Sequence, residues 1–339
     1  MPFSVPVLLL HNVDPTWERH ERDEALRHAH ELQAGLCACG HPVTVVAVSD
    51  SDLRQRLRGF SPGGYIVLNA CESLPGIDHS EDLVARELAA MGFAFTGSGA
   101  DVLALSWDKP RVKHLLAANG VPTPSFRLFQ SVPRNGWHTF PAIVKPAHEH
   151  CSFGVTREAV VLDASELRSR VSYVLDTFHQ PAVVEDFVDG REFHMAVWGT
   201  EELEVLPPAE MDFAAFADIH DRLCTYDSKF TPGSAAYEGI GLRLPAPLSP
   251  EERVLLRRVS LGAYRAVGCR DYARLDIRLR DGTFYVLDVN PNADLSSSAS
   301  MACAAEAAGY SFSAMASRLV TSAARRHPRF RHSAPRYQI

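Results

Sequence analysis

Three side chains in the last third of the chain, Asp276, Asp288 and Asn290, have the types and spacing to do chemistry. Two carboxylates and an amide oxygen make a hard, oxygen-only donor set suited to Mg²⁺. They lie in RLDIRLRDGTFYVLDVNPNADLSSS, residues 274–298. In its first half Leu275, Ile277 and Leu279 alternate with Asp276, Arg278 and Arg280, and Asp281-Gly282 is a hairpin turn signal. The return strand is expected over 283–289. Side chains alternate between the two faces of a strand, so Asp276 and Asp288, at similar distances from the turn, are expected on the same side. The alternative reading of this stretch is a solvated hairpin face decorated with acids.

Two upstream segments offer partners for such a site. An apolar strand over 142–145 ends in Lys145 and runs into the loop AHEHCSFGV, whose backbone N–H groups can cradle phosphate oxygens beside the lysine. A solvated strand-end lysine is the plainer alternative. In VVEDFVDGREFHMAVWG, residues 183–199, Glu185 and Phe187 at a strand end suit a purine edge, and Glu192 suits ribose hydroxyls. Taken alone, this segment also reads as a hairpin with exposed acids.

These residues need a scaffold, and the chain is long enough to supply one. Its 339 residues and 46% hydrophobic content allow two or three ordinary domains with real cores. A net charge of −7 argues against a nucleic-acid binder. No apolar run reaches membrane-spanning length, and the opening MPFSVPVLLLHNVD lacks a basic n-region and a small-residue cleavage site, so a cytoplasmic location is expected. The seven cysteines form no CxxC pair, which fits thiols in a reducing compartment. His148-Glu149-His150-Cys151 is not expected to hold zinc, because consecutive residues of regular structure cannot all face one ion.

The first part of the chain reads as an α/β unit. Strands at 7–10, 43–48, 65–69 and 93–96 alternate with helices at 17–39, 52–57 and 80–91, which predicts a small parallel sheet covered by helices. Ligands of such sheets gather beyond the carboxyl ends of the strands, so His11, Asn12, Asp14, Glu72 and Ser73 are candidate substrate contacts. Gly97-Ser98-Gly99 reads as a link to the next unit, followed by an apolar-faced helix over 113–119. Later helices are expected over 249–268, capped by Ser249, and over 298–308 and 312–325. The tail RRHPRFRHSAPRYQI is basic and contains proline, and is expected to be disordered.

Together, TGSGADVLALSWDKPRVKHLLAANGVPTP, PAIVKPAHEHCSFGV, VVEDFVDGREFHMAV, YDSKF and the 268–320 segment occur in the order and spacing of the ATP-grasp ligases. The chain specifically resembles the D-alanine–D-alanine ligases over roughly 64–320. The resemblance implies an α/β (α+β) ATP-grasp fold with an N-terminal α/β domain over 1–97, a central subdomain over 98–182, a C-terminal subdomain over 183–325 carrying the metal site, and the tail 326–339. It implies ATP and Mg²⁺ as cofactors, two ions in the family with Mn²⁺ as an alternative, and Asp276, Asp288 and Asn290 as the metal ligands. Lys109 and Lys145 match the lysines on the ATP phosphates, Glu185 and Phe187 the adenine hinge, and Glu192 the ribose acid. Arg274 matches the arginine that stabilises the acyl-phosphate and the tetrahedral intermediate. Lys229 matches a phosphate-contacting lysine on a mobile loop, and Ser152 and Gly154 lie in the phosphate-covering loop.

Departures from the family concern the substrates. HNVDPTWERHE stands where the family holds the first alanine's ammonium, Cys151 replaces a serine, and Phe230 replaces a tyrosine. Beyond the metal site the family's Pro-Gly becomes Ala293-Asp294, and its distal serine aligns near Ala299. Asp294 and the run Ser296, Ser297 and Ser298 are therefore the candidate specificity residues, and the added carboxylate suits a cationic or amine-rich second substrate. The expectation is an ATP-dependent carboxylate–amine ligase acting through an acyl-phosphate on small amino-acid-like substrates, with no nucleic-acid or membrane partner and a homodimer left open. A true D-alanine–D-alanine ligase with a rebuilt pocket and a non-catalytic nucleotide sensor are the alternatives.

Overall fold

Val7–Asn12 (β1) is buried along its whole length because it sits at the centre of a sheet covered on both faces. In the computed structural model, which describes residues 3–150, 152–231 and 233–335 and only the backbone of Lys229 and Phe230, β1 pairs in parallel with β2 (Val43–Val48) and β3 (Ile66–Ala70), and β3 pairs with β4 (Ala94–Phe95). The order is β2-β1-β3-β4, and the sheet is parallel as the strand–helix alternation predicts. Leu8 and Leu10 face a core with Leu53, Leu57, Val84 and Leu88. Val7 and Leu9 face the other way, where Leu32 and Leu36 are joined by Ala316, Val320 and Ala323 from the distant helix Phe312–Ala324.

The second sheet is antiparallel, in the order β5-β8-β6-β7, with β5 at Phe126–Phe129, β6 at Ala142–Pro146, β7 at Val160–Val161 and β8 at Ala182–Asp186. Helix Ala164–Phe178 covers it with Leu167, Val171 and Val174, and Asp163 caps that helix by accepting from the backbone N–H groups of Ser165 and Glu166. Because β8 pairs with both β5 and β6, this sheet extends past the expected division at 182. We propose that the division falls in the turn after Asp186.

The third sheet has six strands: β9 (Arg191–Gly199), β10 (Glu204–Val205), β11 (Ala209–Asp212), β12 (Gly241–Arg243), β13 (Asp271–Arg280) and β14 (Thr283–Asn290). Its order is β12-β11-β9-β13-β14, with β10 also on β9. Helix Pro250–Val267 packs on it, opened by a reciprocal Ser249–Glu252 capping box and closed by Gly268 at φ +82°.

Two sequence expectations are corrected. The helix expected over 113–119 begins earlier, at Lys109–Ala118, because Asp108 caps the N–H of Arg111 at 3.0 Å and Pro110 fits the first turn. The tail is not disordered through residue 335. His327 is 1% exposed and reaches the Pro62 carbonyl at 2.8 Å, Phe330 joins the N-terminal core, and Arg326 pairs with Asp271 and donates to the Phe95 carbonyl. Its aromatic and histidine side chains supply the apolar surface that its composition obscures. No helix among the described residues is long and apolar enough to cross a membrane.

Candidate active site

The β13–β14 hairpin turns through Asp281 and Gly282, both left-handed (φ +51° and +75°), the twist a two-residue hairpin turn needs. Its register sets Asp276 opposite Asp288 and Arg274 opposite Asn290. A bulge follows Asp276, so Ile277 pairs with Val286 and Leu287 is the extra residue. The expected gathering of acids on one side is therefore observed. Arg274 grips Asp276 with two hydrogen bonds, Nε to Oδ1 at 2.8 Å and a terminal nitrogen to Oδ2 at 3.0 Å. Asn290 Nδ2 lies 3.5 Å from Asp276 Oδ2. Lys109, the first residue of its helix, donates to Asp288 Oδ2 at 3.1 Å. Burial acts to raise the Asp288 pKa, but Lys109, His150 and Lys145 together outweigh it and hold the carboxyl well below the usual carboxylate range.

Lys145 on β6 reaches Glu185 Oε2 on β8 at 3.3 Å, across the register that pairs the two strands. A third lysine, Lys113, meets the same oxygen at 3.2 Å and Thr123 Oγ1 at 3.1 Å. Sequence reasoning left it unassigned, as the first residue of an apolar-faced helix. The signal was its position four residues after Lys109, which puts both on one helix face. Lys113 is 2% exposed and Glu185 1%, so this is a buried ion cluster. Burial opposes ionisation of Glu185, yet the two lysines lower its pKa, and its Oε1 has no hydrogen-bond partner among the described residues.

A cleft runs past these groups, lined by Lys109, Lys145, Glu185, Phe187, Glu192, Asp276 and Asp288. Phe187 is buried at its wall, with its N–H donated to the Pro141 carbonyl and its carbonyl accepting from Arg280. Glu192 is buried beside Arg278, a second residue left without a role by the sequence. Arg278 is 3% exposed and donates to Glu192 Oε2 at 2.7 Å, to the Val188 carbonyl at 2.9 Å and to the Arg222 carbonyl. Its guanidinium also faces the Phe187 ring at 4.9 Å. Burial would raise the Glu192 pKa, and Arg278 and His194 together more than reverse it.

The loop after β6 closes one side. Ser152 lines the cleft and donates through Oγ to the Cys224 carbonyl at 2.8 Å. Gly154 does not line it. At φ +72° a Cβ there would lie 2.7 Å from Phe178 and 2.8 Å from Pro146, so Gly154 lets the loop pack close to its sheet. His150 leans edge-on against Trp107, and its pKa falls to about 4, through burial first and then the charge of Lys109. Lys229 lies in the short helix Asp227–Phe230, and its side chain, like Cys151, is outside the described residues.

The expected specificity residues form a separate group. Asp294 accepts from the Ser296 N–H at 2.7 Å and from its hydroxyl at 3.0 Å, which folds the loop after Asn290. Ser297 donates to Glu31 of the N-terminal unit at 2.9 Å, and the Ser298 carbonyl accepts from Cys303. Desolvation, and then the charge of Asp294, raise the pKa of Glu72, on the loop after β3. Asn12 Oδ1 accepts from the Glu72 N–H at 3.3 Å, and Asp14 holds the Thr16 and Gly76 N–H groups, so these two candidate contacts organise loops. His11 is buried at the end of β1.

A carboxylate pair opposed on a hairpin, with Lys109 delivered from a helix and Lys145 from a separate antiparallel sheet, defines an ATP-grasp class of protein. Residues 116–321 match the family model described as D-ala D-ala ligase C-terminus, and the chain belongs to that family. The D-alanine–D-alanine ligase of Alcanivorax borkumensis is 29% identical over 311 residues, covering 90% of this chain and 91% of its own. The uncharacterized protein y4sG of Sinorhizobium fredii is 33% identical over 313 residues, covering 89% and 88%. The crystal structure of D-alanine–D-alanine ligase from Bacillus anthracis complexed with ATP shares the fold, with a TM-score of 0.74 at 20% identity over 94% of this chain and 98% of that one.

Proposed function

We propose that the protein joins a carboxylate to an amine through an acyl-phosphate, on an amino-acid-like pair other than two D-alanines. Its family makes it an ATP-dependent C–N ligase that uses a divalent cation. The observation that carries the mechanistic reading is the register opposing Asp276 to Asp288, with Arg274 on the first and Lys109 on the second.

A carboxylate is a poor acyl donor because its leaving group would be oxide. Attack of its oxygen on the γ-phosphorus of ATP expels ADP and makes phosphate the leaving group. The amine then attacks the acyl carbon, phosphate departs, and the ammonium proton passes to solvent. Asp276, Asp288 and Asn290 fit a hard divalent ion by their oxygen donors and by the low pKa of Asp288, and would hold Mg²⁺. The ion supplies charge neutralisation and orientation for the phosphates. Lys109 and Lys145 present ammonium groups to phosphate oxygens, and Arg274 meets the oxyanion of the tetrahedral intermediate. The loop carrying Ser152 and Gly154 keeps water from the acyl-phosphate.

Asp294 supports an amine-bearing second substrate with an additional cationic group, since its carboxylate repels a free α-carboxylate. The test is phosphate release from Mg-ATP against a panel of amino acids and diamines, with product masses. Stimulation by cationic amines is expected. Stimulation by D-alanine alone would defeat the substrate claim, and ATP binding with no stimulated release would favour a sensor.

A further inference from the structure

At the wall of the nucleotide cleft lies a donor set of different chemistry. His194 on β9 is 5% exposed, and its Nε2 is buried with no hydrogen-bond partner among the described residues. That nitrogen lies 3.5 Å from Glu192 Oε1 and 3.8 Å from Asp276 Oδ1. A thiol completes the group: one ligand atom each from Glu192, His194 and Cys224 lies within 4.8 Å of the others. Glu192 uses Oε2 for Arg278, which leaves Oε1 turned to the imidazole. On its far side His194 Nδ1 is 3.4 Å from Ser300 Oγ, a contact able to fix the ring's tautomer.

We propose that Glu192, His194 and Cys224 bind a zinc-like ion when the cleft is empty, and that the ion excludes the ribose end of a nucleotide. Imidazole, thiolate and carboxylate form the borderline-soft set that zinc prefers, unlike the oxygen-only set of Asp276, Asp288 and Asn290. Zinc bonds of about 2.0–2.3 Å put tetrahedral ligands roughly 3.3–3.7 Å apart, so the present spacing must close by about 1 Å. Cys224 sits on the long connection between β11 and β12, which lets its sulfur make that movement. Binding replaces the thiol proton, which leaves to solvent, and keeps the fourth position open. Glu192 and Cys224 both line the nucleotide cleft, so one carboxylate cannot serve the metal and a ribose together. This second half rests on reading the cleft as the nucleotide site.

Chelator-treated, nucleotide-free protein is titrated with Co²⁺, which adopts zinc's geometry and reports a bound thiolate by a near-ultraviolet charge-transfer band. One equivalent is expected to produce the band. Cys224→Ser, checked for an unchanged melting temperature, should lack it, and His194→Gln should bind Co²⁺ at least about ten-fold more weakly. Saturating adenosine, which carries base and ribose without chelating phosphates, should displace the ion. Absence of the band in the unaltered protein overturns the site, as does an undiminished band in Cys224→Ser. A Cys224-dependent band that persists under adenosine keeps the metal site and defeats the ribose reading, so the two failures are told apart.

Discussion

Asn292 donates to Glu81 at 2.8 Å, tying the turn after β14 to the first residue of a helix in the N-terminal unit. The indole N–H of Trp107 takes the other carboxylate oxygen at 3.0 Å. Burial raises the Glu81 pKa to about 7, against the opposing pull of these two hydrogen bonds. The folded protein therefore keeps this proton to higher pH than the unfolded chain, whose carboxyl titrates near 4.5. Stability from this group is complete below about pH 4.5 and is lost as pH rises to about 7, in all about 3 kcal/mol. Denaturant titrations across that window should show the gap between the protein and Glu81→Gln shifting in favour of the variant as pH rises. A gap independent of pH would remove Glu81 from this role.

Asp288→Asn removes the carboxylate that Lys109 neutralises and one oxygen of the proposed metal set. Product formation should fall by at least about 100-fold, with weaker Mg-ATP binding. Arg274→Ala should lose product to a similar degree while ATP binding is retained, because Arg274 is proposed to act on the acyl centre. Product mass spectrometry and nucleotide titration check both, and full activity in either variant sinks the assignment.

Lys113 and Lys145 share one buried oxygen of Glu185. Truncating Lys113 leaves the buried Glu185 with Lys145 alone, so Lys113→Ala should lower the unfolding free energy by up to about 3–5 kcal/mol. Adding Glu185→Gln should restore part of the loss. Equal and additive effects of the two changes would show that the pair is not coupled.

The hairpin was legible in its alternation, its Asp-Gly turn and its return strand, but the bulge that passes over Leu287 and so brings Asp288 opposite Asp276 was not. The parallel N-terminal sheet was legible from buried strands alternating with helices. Lys113 and Arg278 were not. A charge on a helix or strand looks the same in sequence whether solvated or buried, and only tertiary pairing with Glu185 or Glu192 tells the cases apart. Phe312–Ala324 was readable as a helix, but its apolar face does not name the sheet it covers. The tail misled for a related reason: its basic composition hid Phe330 and His327, which pack inward.

Asp294 carries the specificity prediction. Replacing it with Asn keeps the loop's size and part of its hydrogen bonding to Ser296 but removes the charge. The KM for a cationic amine should rise by roughly ten-fold, the loss of one charged hydrogen bond, with nucleotide affinity unchanged. Steady-state kinetics with the amine varied at saturating ATP measures this, and an unchanged KM would move the determinant elsewhere.

The helix Phe312–Ala324 also sets an order of assembly. Strand β1 leaves the ribosome about 300 residues ahead of that helix, so at typical synthesis rates one face of the first sheet has only the cover of Leu32 and Leu36 for tens of seconds. The N-terminal unit is thus first to be made and among the last to be finished. An isolated fragment ending near residue 97 would lack the cover that Ala316, Val320 and Ala323 give this face and would show that part of it to water or to other chains.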